Sequence, residues 1–346
     1  MSEPNTDTIA NVEQLEEMLS QPTEAVIEMF RRMPGDVIVL GVAGKVGPSL
    51  ARMIKRASDA AGTKRRIIGA ARFSRASEAA KLDAHGIETI KCDLLDPAQL
   101  EKLPDAPHVV YMAGQKFGTT GNQALTWAMN SFLPGLVCQR YKRSRIVAYS
   151  TGNVYAITPV TLGGSLETDE PGPVGEYSMS CLGRERIIEH FSRIHKTPTA
   201  LIRLCYACEM RYGVLVDMAQ RVLTEQPIDV AMGCLCMIWQ GDANVMTLLS
   251  FDHVASPPFV VNVVGPEILS VRRLCDEFGE LLGKKPRFAG AEAPDALLAN
   301  GQKSARLFGY PRVSVGQVVR WTADWVKRGG ESLGKPTHFE TRDGKY

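Results

Sequence analysis

The chain has 346 residues, a formal net charge of +2, 45% apolar residues and 23% charged residues. This length allows one large α/β domain or two lobes, and the composition is ordinary for a globular protein. The near-neutral charge argues against a track for nucleic acid or a surface for anionic membranes. No apolar run is long enough to span a bilayer.

The amino-terminal segment is polar and acidic, without a basic stretch followed by an apolar one. No secretory signal is therefore expected, and the cytoplasm is the default location. In that compartment the eight cysteines are predicted to be reduced thiols in core and strand positions. The Cys205/Cys208 and Cys234/Cys236 spacings also permit zinc, but their apolar surroundings favour buried thiols, and no metal is predicted.

Residues 1–35 are predicted to form an N-terminal helical extension. Apolar residues recur there at helical spacing in two runs, with Ser20 and Pro22 between them. Two helices that pack on the flank of the main domain are the simplest interpretation, and a dimer contact is the alternative that the sequence leaves open.

Residues 36–50 carry the strongest local signal. An apolar run at 37–40 predicts a buried parallel strand, and Gly41, Gly44 and Gly47 follow it before a helix. Glycines at this spacing let the backbone approach a pyrophosphate, and the helix N-terminus offers free N–H groups. An ordinary strand–helix turn is the alternative, but the strand before and the helix after favour a dinucleotide cradle.

Strands and helices alternate over the first 150 residues, and one more pair follows. The strands are predicted at 37–40, 66–71, 89–92, 108–112, 145–149 and 199–204. The helices after the glycine turn include 76–85, 126–141 and 177–191. This alternation predicts an α/β fold with a Rossmann-type, doubly wound parallel sheet, in which ligands bind at the carboxyl ends of the strands.

Beyond residue 208 the predicted elements are shorter and mixed. Strands are predicted near 237–249 and 259–264 and a helix at 274–282, and the tail from 334 has no clear period. The predicted organisation is therefore an extension at 1–35, an NAD(P)-binding Rossmann domain at 36–205 and a smaller mixed α/β substrate lobe at 206–346. Elements of the last two can interleave.

From about residue 36 to residue 325 the chain resembles the extended short-chain dehydrogenases/reductases of the nucleotide-sugar epimerase/dehydratase kind. The glycine triplet has the extended-type spacing, and further motifs follow in the order of the family. These motifs lie at residues 92–94, 113–116, 130, 150–155, 177, 251–255, 262–266 and 270–271.

The resemblance implies a nicotinamide dinucleotide at the carboxyl ends of the strands. Asp93 matches the aspartate that contacts adenine, Lys116 matches a lysine beside the cofactor, and Asn130 matches a structural asparagine. A solvated loop lysine is the alternative for Lys116. The expected cofactor-binding residues are Gly41, Gly44, Lys45, Val46, Gly47, Arg72, Asp93, Leu94, Ala113, Gly114, Lys116 and Asn130.

The end of the second strand bears on the choice between NAD and NADP. An acidic residue there would bind the ribose hydroxyls and favour NAD, but the alignment puts Ala71 at this position, with Arg72 next and Arg75 nearby. A guanidinium could bind a 2′-phosphate through two hydrogen bonds, which favours NADP. The alternative is that Arg72 is a surface arginine that stacks on adenine.

Tyr177 and Thr151 match the catalytic tyrosine and hydroxyl of the family. Thr151 could instead only cap the turn after its strand. The family's lysine four residues after the tyrosine is absent, and Cys181 stands in its place. Three interpretations stay open. In the first, the reaction is redox chemistry, and another cation such as Lys116 or Arg184 replaces the lysine. In the second, Tyr177 and Thr151 perform an epimerisation, dehydration or isomerisation that tolerates a weaker base, and in the third, the protein binds the dinucleotide but has lost catalysis.

The resemblance also implies a small-molecule substrate, namely a sugar, a nucleotide sugar or a sugar-derived compound. The loop at 156–176, the segment at 205–212 and residues beyond 230 would build its site, with Arg211 and Tyr212 as candidate contacts. A homodimer through the helix that begins near Tyr177 is implied by analogy with the family.

Overall fold

Seven parallel strands form the central sheet of the molecule. In the computed structural model, which describes residues 8–116 and 118–345, their order is β7-β6-β5-β4-β1-β2-β3. The strands are β1 Val37–Leu40, β2 Ile67–Ala71, β3 Glu88–Lys91, β4 His108–Tyr111, β5 Arg145–Thr151, β6 Thr199–Leu204 and β7 Phe259–Val263. The order reverses between β1 and β4, and the predicted doubly wound α/β fold is confirmed.

Helices cover both faces of this sheet, and further helices pack beside it. They are α1 Val12–Leu19, α2 Glu24–Arg32, α3 Gly47–Ala60, α4 Ala76–Asp83, α5 Pro97–Glu101, α6 Gln123–Trp127, α7 Leu133–Arg140, α8 Gly175–His195, α9 Val214–Leu223, α10 Gln240–Leu249, α11 Val271–Leu282, α12 Gln302–Phe308 and α13 Val315–Lys327. A π-helical turn, Ala128–Phe132, joins α6 to α7. None of the helices in the described ranges has the length and apolar character needed to cross a membrane.

Alternating strand residues face two separate cores. Val37 and Val39 pack with α2, α3 and α10 on one face, whereas Ile38 and Leu40 pack with α5, α7 and α8 on the other. Because both faces are buried, β1 reads as a continuous apolar run, which is why a parallel strand could be predicted from its sequence.

Two predicted strands of the last third differ from the structure. The segment predicted as a strand near 237–249 is almost entirely helix α10, preceded by a two-residue strand, Ile238–Trp239. Nearly all of α10 is buried, and an apolar run alone does not distinguish a buried helix from a strand. The strand predicted at 259–264 exists as β7, but it pairs with β6 and extends the central sheet.

A second cluster lies beside the sheet. Helices α9, α11 and α13 pack around it, and α1 adds Leu15 and Leu19. The remaining strands form short pairs, Thr158–Pro159 with Asp295–Ala296, Ala207–Cys208 with Ile238–Trp239, Pro227–Asp229 with Arg287–Ala289, and Cys234–Leu235 with Leu269–Ser270.

The carboxyl-terminal tail, defined here as residues 333–345, crosses from this cluster to the beginning of α8. Phe339 is buried in the cluster, and further along the tail Gly344 lies against Val174 and Gly175. The tail contains no helix or strand, which explains why its sequence showed no period.

Candidate functional site

The three predicted glycines form the turn between β1 and α3. Gly41 has φ +90°, and a Cβ there would lie 2.7 Å from the backbone nitrogen of Ala113. A Cβ on Gly47 would lie 2.1 Å from the carbonyl oxygen of Val42. Gly44 differs, because the nearest atom to a Cβ there would be a carbonyl oxygen at 3.4 Å. The protein itself therefore requires Gly41 and Gly47, whereas Gly44 borders open space that a ligand can occupy.

Helix α3 begins directly behind this turn. Its N-cap is Val46, which offers no side-chain hydrogen bond to the free N–H groups of the first turn. Uncapped N–H groups and the positive end of the helix dipole suit a phosphate. The turn and the helix N-terminus therefore fit the pyrophosphate of a dinucleotide.

The ends of β2 and β3 lie where adenosine would bind in such a fold. The strand β2 ends at buried Ala71, and the next residue, Arg72, is exposed. Arg75 instead pairs with Glu78, with 3.1 Å between Nε and Oε1. Asp93 accepts a hydrogen bond from the backbone N–H of Leu95 at 3.1 Å, so its carboxylate also holds the turn after β3. The neighbouring Leu94 is buried.

The end of β4 is fixed by Asn130 in the π-helical turn. Asn130 accepts a hydrogen bond from the backbone N–H of Gln115 and donates one to its carbonyl, each at 2.9 Å. Arg184 donates a hydrogen bond to Asn130 Oδ1 at 2.7 Å. A Cβ on Gly114 would lie 2.4 Å from the guanidinium of Arg184. Ala113, which is buried, and Gly114, which is exposed, are therefore held between the glycine turn and α8.

A cleft with about 870 Å³ of empty space, partly open to solvent, adjoins this region. The residues that line it include Lys45, Lys116, Thr151, Tyr177, Tyr206 and Tyr212. Thr151, at the end of β5, accepts a hydrogen bond from the N–H of Asn153 at 3.2 Å and is also hydrogen-bonded to Tyr177. Thr151 therefore caps the turn after its strand and contacts the tyrosine.

Cys181 lies one turn after Tyr177 on α8, and the two side chains are hydrogen-bonded. Cys181 is fully buried, and burial raises the pKa of its thiol, which therefore stays uncharged near neutral pH. Burial also raises the pKa of the Tyr177 phenol well above its ordinary value, while the charge of Arg184 acts in the opposite direction.

Two cations lie close to Tyr177. Arg184 is buried on α8 and donates hydrogen bonds to the carbonyl of Tyr149 at 2.8 Å and to Asn130. Lys116 Nζ lies 5.8 Å from the centroid of the Tyr177 ring, and burial lowers the pKa of Lys116 to about 8. The structure thus brings both of the cations named from the sequence to the tyrosine. The hydrogen bonds of Arg184 fix it to the π-helical turn and to β5.

Behind the cleft, part of the motif at 150–155 has a structural task. Ser150 donates to Glu185 at 2.6 Å, and Glu185 is paired with Arg203 at 2.7 Å. Arg203 also donates to the hydroxyl of Tyr155 at 2.9 Å. This buried network joins β5, β6 and α8 and holds the ends of the strands beneath Thr151 and Tyr177.

Some side chains lie where the sequence did not predict. The side chain of Lys45 extends away from the glycine turn, and its Nζ lies 3.2 Å from the ring centroid of Tyr212. Arg211 does not line the cleft but is paired with Glu16 at 2.7 Å and with Glu209 at 3.0 Å. Thr337 of the tail lines the cleft as well, and no local pattern in the sequence signals this tertiary contact.

The four cysteines whose spacing permitted zinc do not form one cluster in the structure. Cys205 contacts buried Cys236, whereas the thiol of Cys208 lies 3.3 Å from the carbonyl oxygen of Tyr206. Within the part of the chain that the structure describes, there is no group of three or more His, Cys, Asp or Glu residues that could hold a metal ion.

Comparison with known proteins gives two kinds of match. The sequence matches the model of the NAD dependent epimerase/dehydratase family over residues 37–231, more than half of the chain. No curated protein matches the sequence. Three solved structures resemble the fold, and each was determined in complex with NAD.

A UDP-glucuronic acid 4-epimerase from Bacillus cereus has 18% identity and a TM-score of 0.70, covering 85% of this chain and 99% of that chain. A UDP-glucose 4-epimerase from Thermus thermophilus has 20% identity and a TM-score of 0.69, with the same coverage. A dTDP-glucose 4,6-dehydratase from Bacillus anthracis has 15% identity and a TM-score of 0.71, covering 90% and 100%. These likenesses concern the fold, and the family match confirms the resemblance inferred from the motifs. The chain belongs to the NAD dependent epimerase/dehydratase family.

Proposed function

We propose that the protein is an NAD(P)-dependent oxidoreductase or epimerase that acts on a sugar, nucleotide sugar or sugar-derived substrate. The observation that carries this proposal is the hydrogen bond between Thr151 and Tyr177 in a cleft that continues to the glycine turn through Lys45 and Val46. The structural neighbours named above, which are called nucleotide-sugar epimerases and a dehydratase, support the substrate class. In this proposal residues 36–205 hold the cofactor and residues 206–346 supply most of the substrate contacts.

The dinucleotide, when bound, would accept and return a hydride. The glycine turn, Lys45 and Val46 would hold its pyrophosphate, and Arg72, Asp93 and Leu94 would lie at its adenosine. Ala113, Gly114, Lys116 and Asn130 would shape the nicotinamide end. The end of β2 favours NADP because Ala71 leaves no carboxylate there, whereas the three structural neighbours hold NAD.

Tyr177 would transfer a proton at the substrate oxygen, and Thr151 would orient that oxygen. Because burial raises the pKa of Tyr177, the phenol is protonated near neutral pH and would donate its proton to a carbonyl oxygen when a hydride is returned to the carbonyl carbon. Oxidation of a substrate hydroxyl would instead need the phenolate, which would accept the hydroxyl proton. Arg184 would act through Tyr177, since its positive charge stabilises the phenolate after the proton has left. Arg184 is thus a positioning residue in place of the absent lysine.

The direct test measures turnover of the purified protein with NAD or NADP and with UDP-glucuronic acid, UDP-glucose or dTDP-glucose. Tyr177→Phe is expected to lower turnover by roughly 10²- to 10⁴-fold, the usual contribution of a general acid or base, while the dissociation constant of the dinucleotide is kept. Unchanged turnover in Tyr177→Phe would remove the tyrosine from the mechanism.

Arg72→Ala tests the cofactor preference. Loss of a charge-assisted hydrogen bond is worth roughly 1.5–3 kcal/mol, so the dissociation constant of NADP is expected to rise at least tenfold while that of NAD changes little. Arg75→Ala, whose side chain is engaged by Glu78, is the matched control. A variant that still prefers NADP would contradict this role of Arg72.

A second candidate function is a dinucleotide-binding module without turnover. The observation that favours it is Cys181, an uncharged buried thiol where the family places a lysine. Dinucleotide binding without conversion of any of the three nucleotide sugars would favour this candidate.

We also propose a homodimer, because apolar side chains of α8 and the π-helical turn remain exposed, Met179 at 47% and Phe132 at 58%. Light scattering that gives one chain mass for the wild type would contradict the dimer.

A further inference from the structure

The helix α8 begins close to the proposed proton donor. Its first residue is Gly175, so Tyr177 lies within its first turn. The first N–H groups of a helix have no acceptor inside the helix, and a polar N-cap side chain commonly binds one of them. Here the N-cap is Val174, whose side chain makes no such hydrogen bond. The turn that carries Tyr177 therefore depends on contacts with other parts of the fold.

Some of these contacts come from α6 and the π-helical turn. Trp127 donates a hydrogen bond from its indole N–H to the carboxylate of Glu176 at 2.5 Å. Ser180 donates to the carbonyl oxygen of Tyr177 at 2.8 Å and accepts a hydrogen bond from the amide of Asn130 at 3.0 Å. These contacts join α8 to residues 127–130 and do not involve the backbone at its first residue.

The carboxyl-terminal tail supplies a contact at that backbone. A Cβ on Gly175 would lie 2.4 Å from the carbonyl oxygen of Gly344, and a Cβ on Gly344 would lie 2.2 Å from the carbonyl oxygen of Val174. Gly344 is buried, and both glycines have a positive φ, +82° at Gly175 and +72° at Gly344. Because backbone atoms cannot rotate aside as a flexible side chain can, an added Cβ at either position would separate the two segments.

The position of Gly344 is fixed by anchors elsewhere in the tail. Arg342 is paired with Asp295 at 2.5 Å and donates a hydrogen bond to the carbonyl oxygen of Ala231 at 3.3 Å. Phe339 is buried in the second cluster. The tail is thus attached to residues outside α8 before it reaches Gly344, and it can act on the beginning of the helix as a fixed support.

We propose that Gly344 is a positioning residue, whose contact with Gly175 holds the first turn of α8 and thereby keeps the Tyr177 phenol in place beside Thr151. The inference rests on the proposed function in one respect, since Tyr177 is a proton donor only there. Gly344 is not among the residues that line the cleft, so it would act through the helix and not on the substrate.

The test replaces Gly344 by asparagine. Asparagine adopts a positive φ more readily than most residues with a Cβ, so Gly344→Asn introduces the overlap with little backbone strain. Gly334→Asn is the matched control, because Gly334 lies in the same tail at φ +62° and a Cβ there would meet no atom within 4 Å. Melting curves check that both variants are folded. Gly175→Asn approaches the contact from the helix side and is expected to give the same results as Gly344→Asn.

Hydrogen exchange of the full chain measures the hold on the helix without any ligand. The amides at 179–182 are the first whose acceptors lie within the first turn of α8. In Gly344→Asn they are expected to exchange about tenfold faster than in the wild type, whereas Gly334→Asn leaves them unchanged. Unchanged exchange at 179–182 in Gly344→Asn would overturn the inference.

A double-mutant cycle assigns the effect to the tyrosine. With NAD and a nucleotide sugar that the wild type converts, Gly344→Asn is expected to lower kcat roughly tenfold, because a misplaced proton donor slows the chemical step. KM and the dissociation constant of NAD should change little. In Tyr177→Phe the same substitution is expected to change the residual kcat by less than about twofold, since the phenol has already been removed. An equal fold loss of kcat in both backgrounds would overturn the inference.

The two proposals fail in different ways. If the wild type converts no nucleotide sugar, yet Gly344→Asn accelerates exchange at 179–182, the proposed function is contradicted and the hold of Gly344 on α8 is supported. If the wild type converts a nucleotide sugar and Gly344→Asn matches Gly334→Asn in both kcat and exchange, the proposed function stands and the positioning role of Gly344 is overturned.

Discussion

At the level of single residues, position 181 is where the motifs of the sequence predict a departure from the family pattern. A lysine there would place a cation on the same face of α8 as Tyr177. The chain has a buried thiol instead, and Arg184 is fixed nearby by Asn130 and the carbonyl of Tyr149. In the proposed mechanism Arg184 is therefore the source of positive charge.

Restoring the lysine is expected to harm the protein. In Cys181→Lys, a second buried cation would lie beside Arg184, which should lower the free energy of unfolding by roughly 1–3 kcal/mol and should also lower turnover. Chemical denaturation and the turnover assay measure the two effects.

Cys181→Ser is the matched control, because it keeps a small hydrogen-bonding side chain without adding charge. Higher turnover in Cys181→Lys than in the wild type would show that the lysine was simply lost and that Arg184 does not replace it.

At the level of elements, two glycines in the turn between β1 and α3 are required for different reasons. The fold requires Gly47, whereas a bound ligand would require Gly44. Gly47 is close to the backbone of Val42, whereas Gly44 has space around its Cα. The turn is predictable from the sequence because its signals are all local. The roles of the individual glycines follow only from the distances across the turn.

Gly44→Ala is expected to leave the free energy of unfolding within about 0.5 kcal/mol of the wild type and to weaken dinucleotide binding at least tenfold. The added methyl group would occupy the space that the phosphates need. Denaturation and calorimetry on the same sample measure both quantities.

Gly47→Ala should lower stability instead, and Gly316→Ala on α13 should change neither quantity. Unchanged dinucleotide affinity in Gly44→Ala would contradict the cradle.

At the level of the whole molecule, the tail ties the second cluster to the beginning of α8. Phe339 anchors it, Glu340 is paired with Arg221 at 2.9 Å, and Arg342 is paired with Asp295 at 2.5 Å. Thr337, two residues before Phe339, lines the cleft. Substrate binding should therefore depend on the tail more strongly than cofactor binding does.

Phe339→Ala is expected to lower the free energy of unfolding by roughly 3–5 kcal/mol, as for other buried Phe→Ala changes. The dissociation constant of the nucleotide sugar should rise, because the tail would lose its anchor, while that of NAD should change little. Calorimetry with each ligand distinguishes the two effects.

Tyr310→Ala removes an aromatic side chain that is 73% exposed and should change none of these quantities. An equal loss of NAD and nucleotide-sugar affinity in Phe339→Ala would contradict the separate role of the tail.

Contacts across the whole molecule also limit what could be predicted from the sequence. The parallel sheet was predictable because β1, β2 and β4 are short buried apolar runs between helical patterns. Helix α10 was mistaken for a strand because it is buried on nearly every side. The contact of Lys45 with Tyr212 and the path of the tail depend on residues far apart in the chain, and no local pattern encodes them.

The central claim is that the glycine turn and α3 bind a nicotinamide dinucleotide. Isothermal titration of the wild-type chain with NAD and with NADP tests it most directly. The account predicts saturable binding of at least one of them, with one site per chain. The absence of binding heat with both dinucleotides, at two temperatures so that a zero enthalpy is excluded, would contradict it.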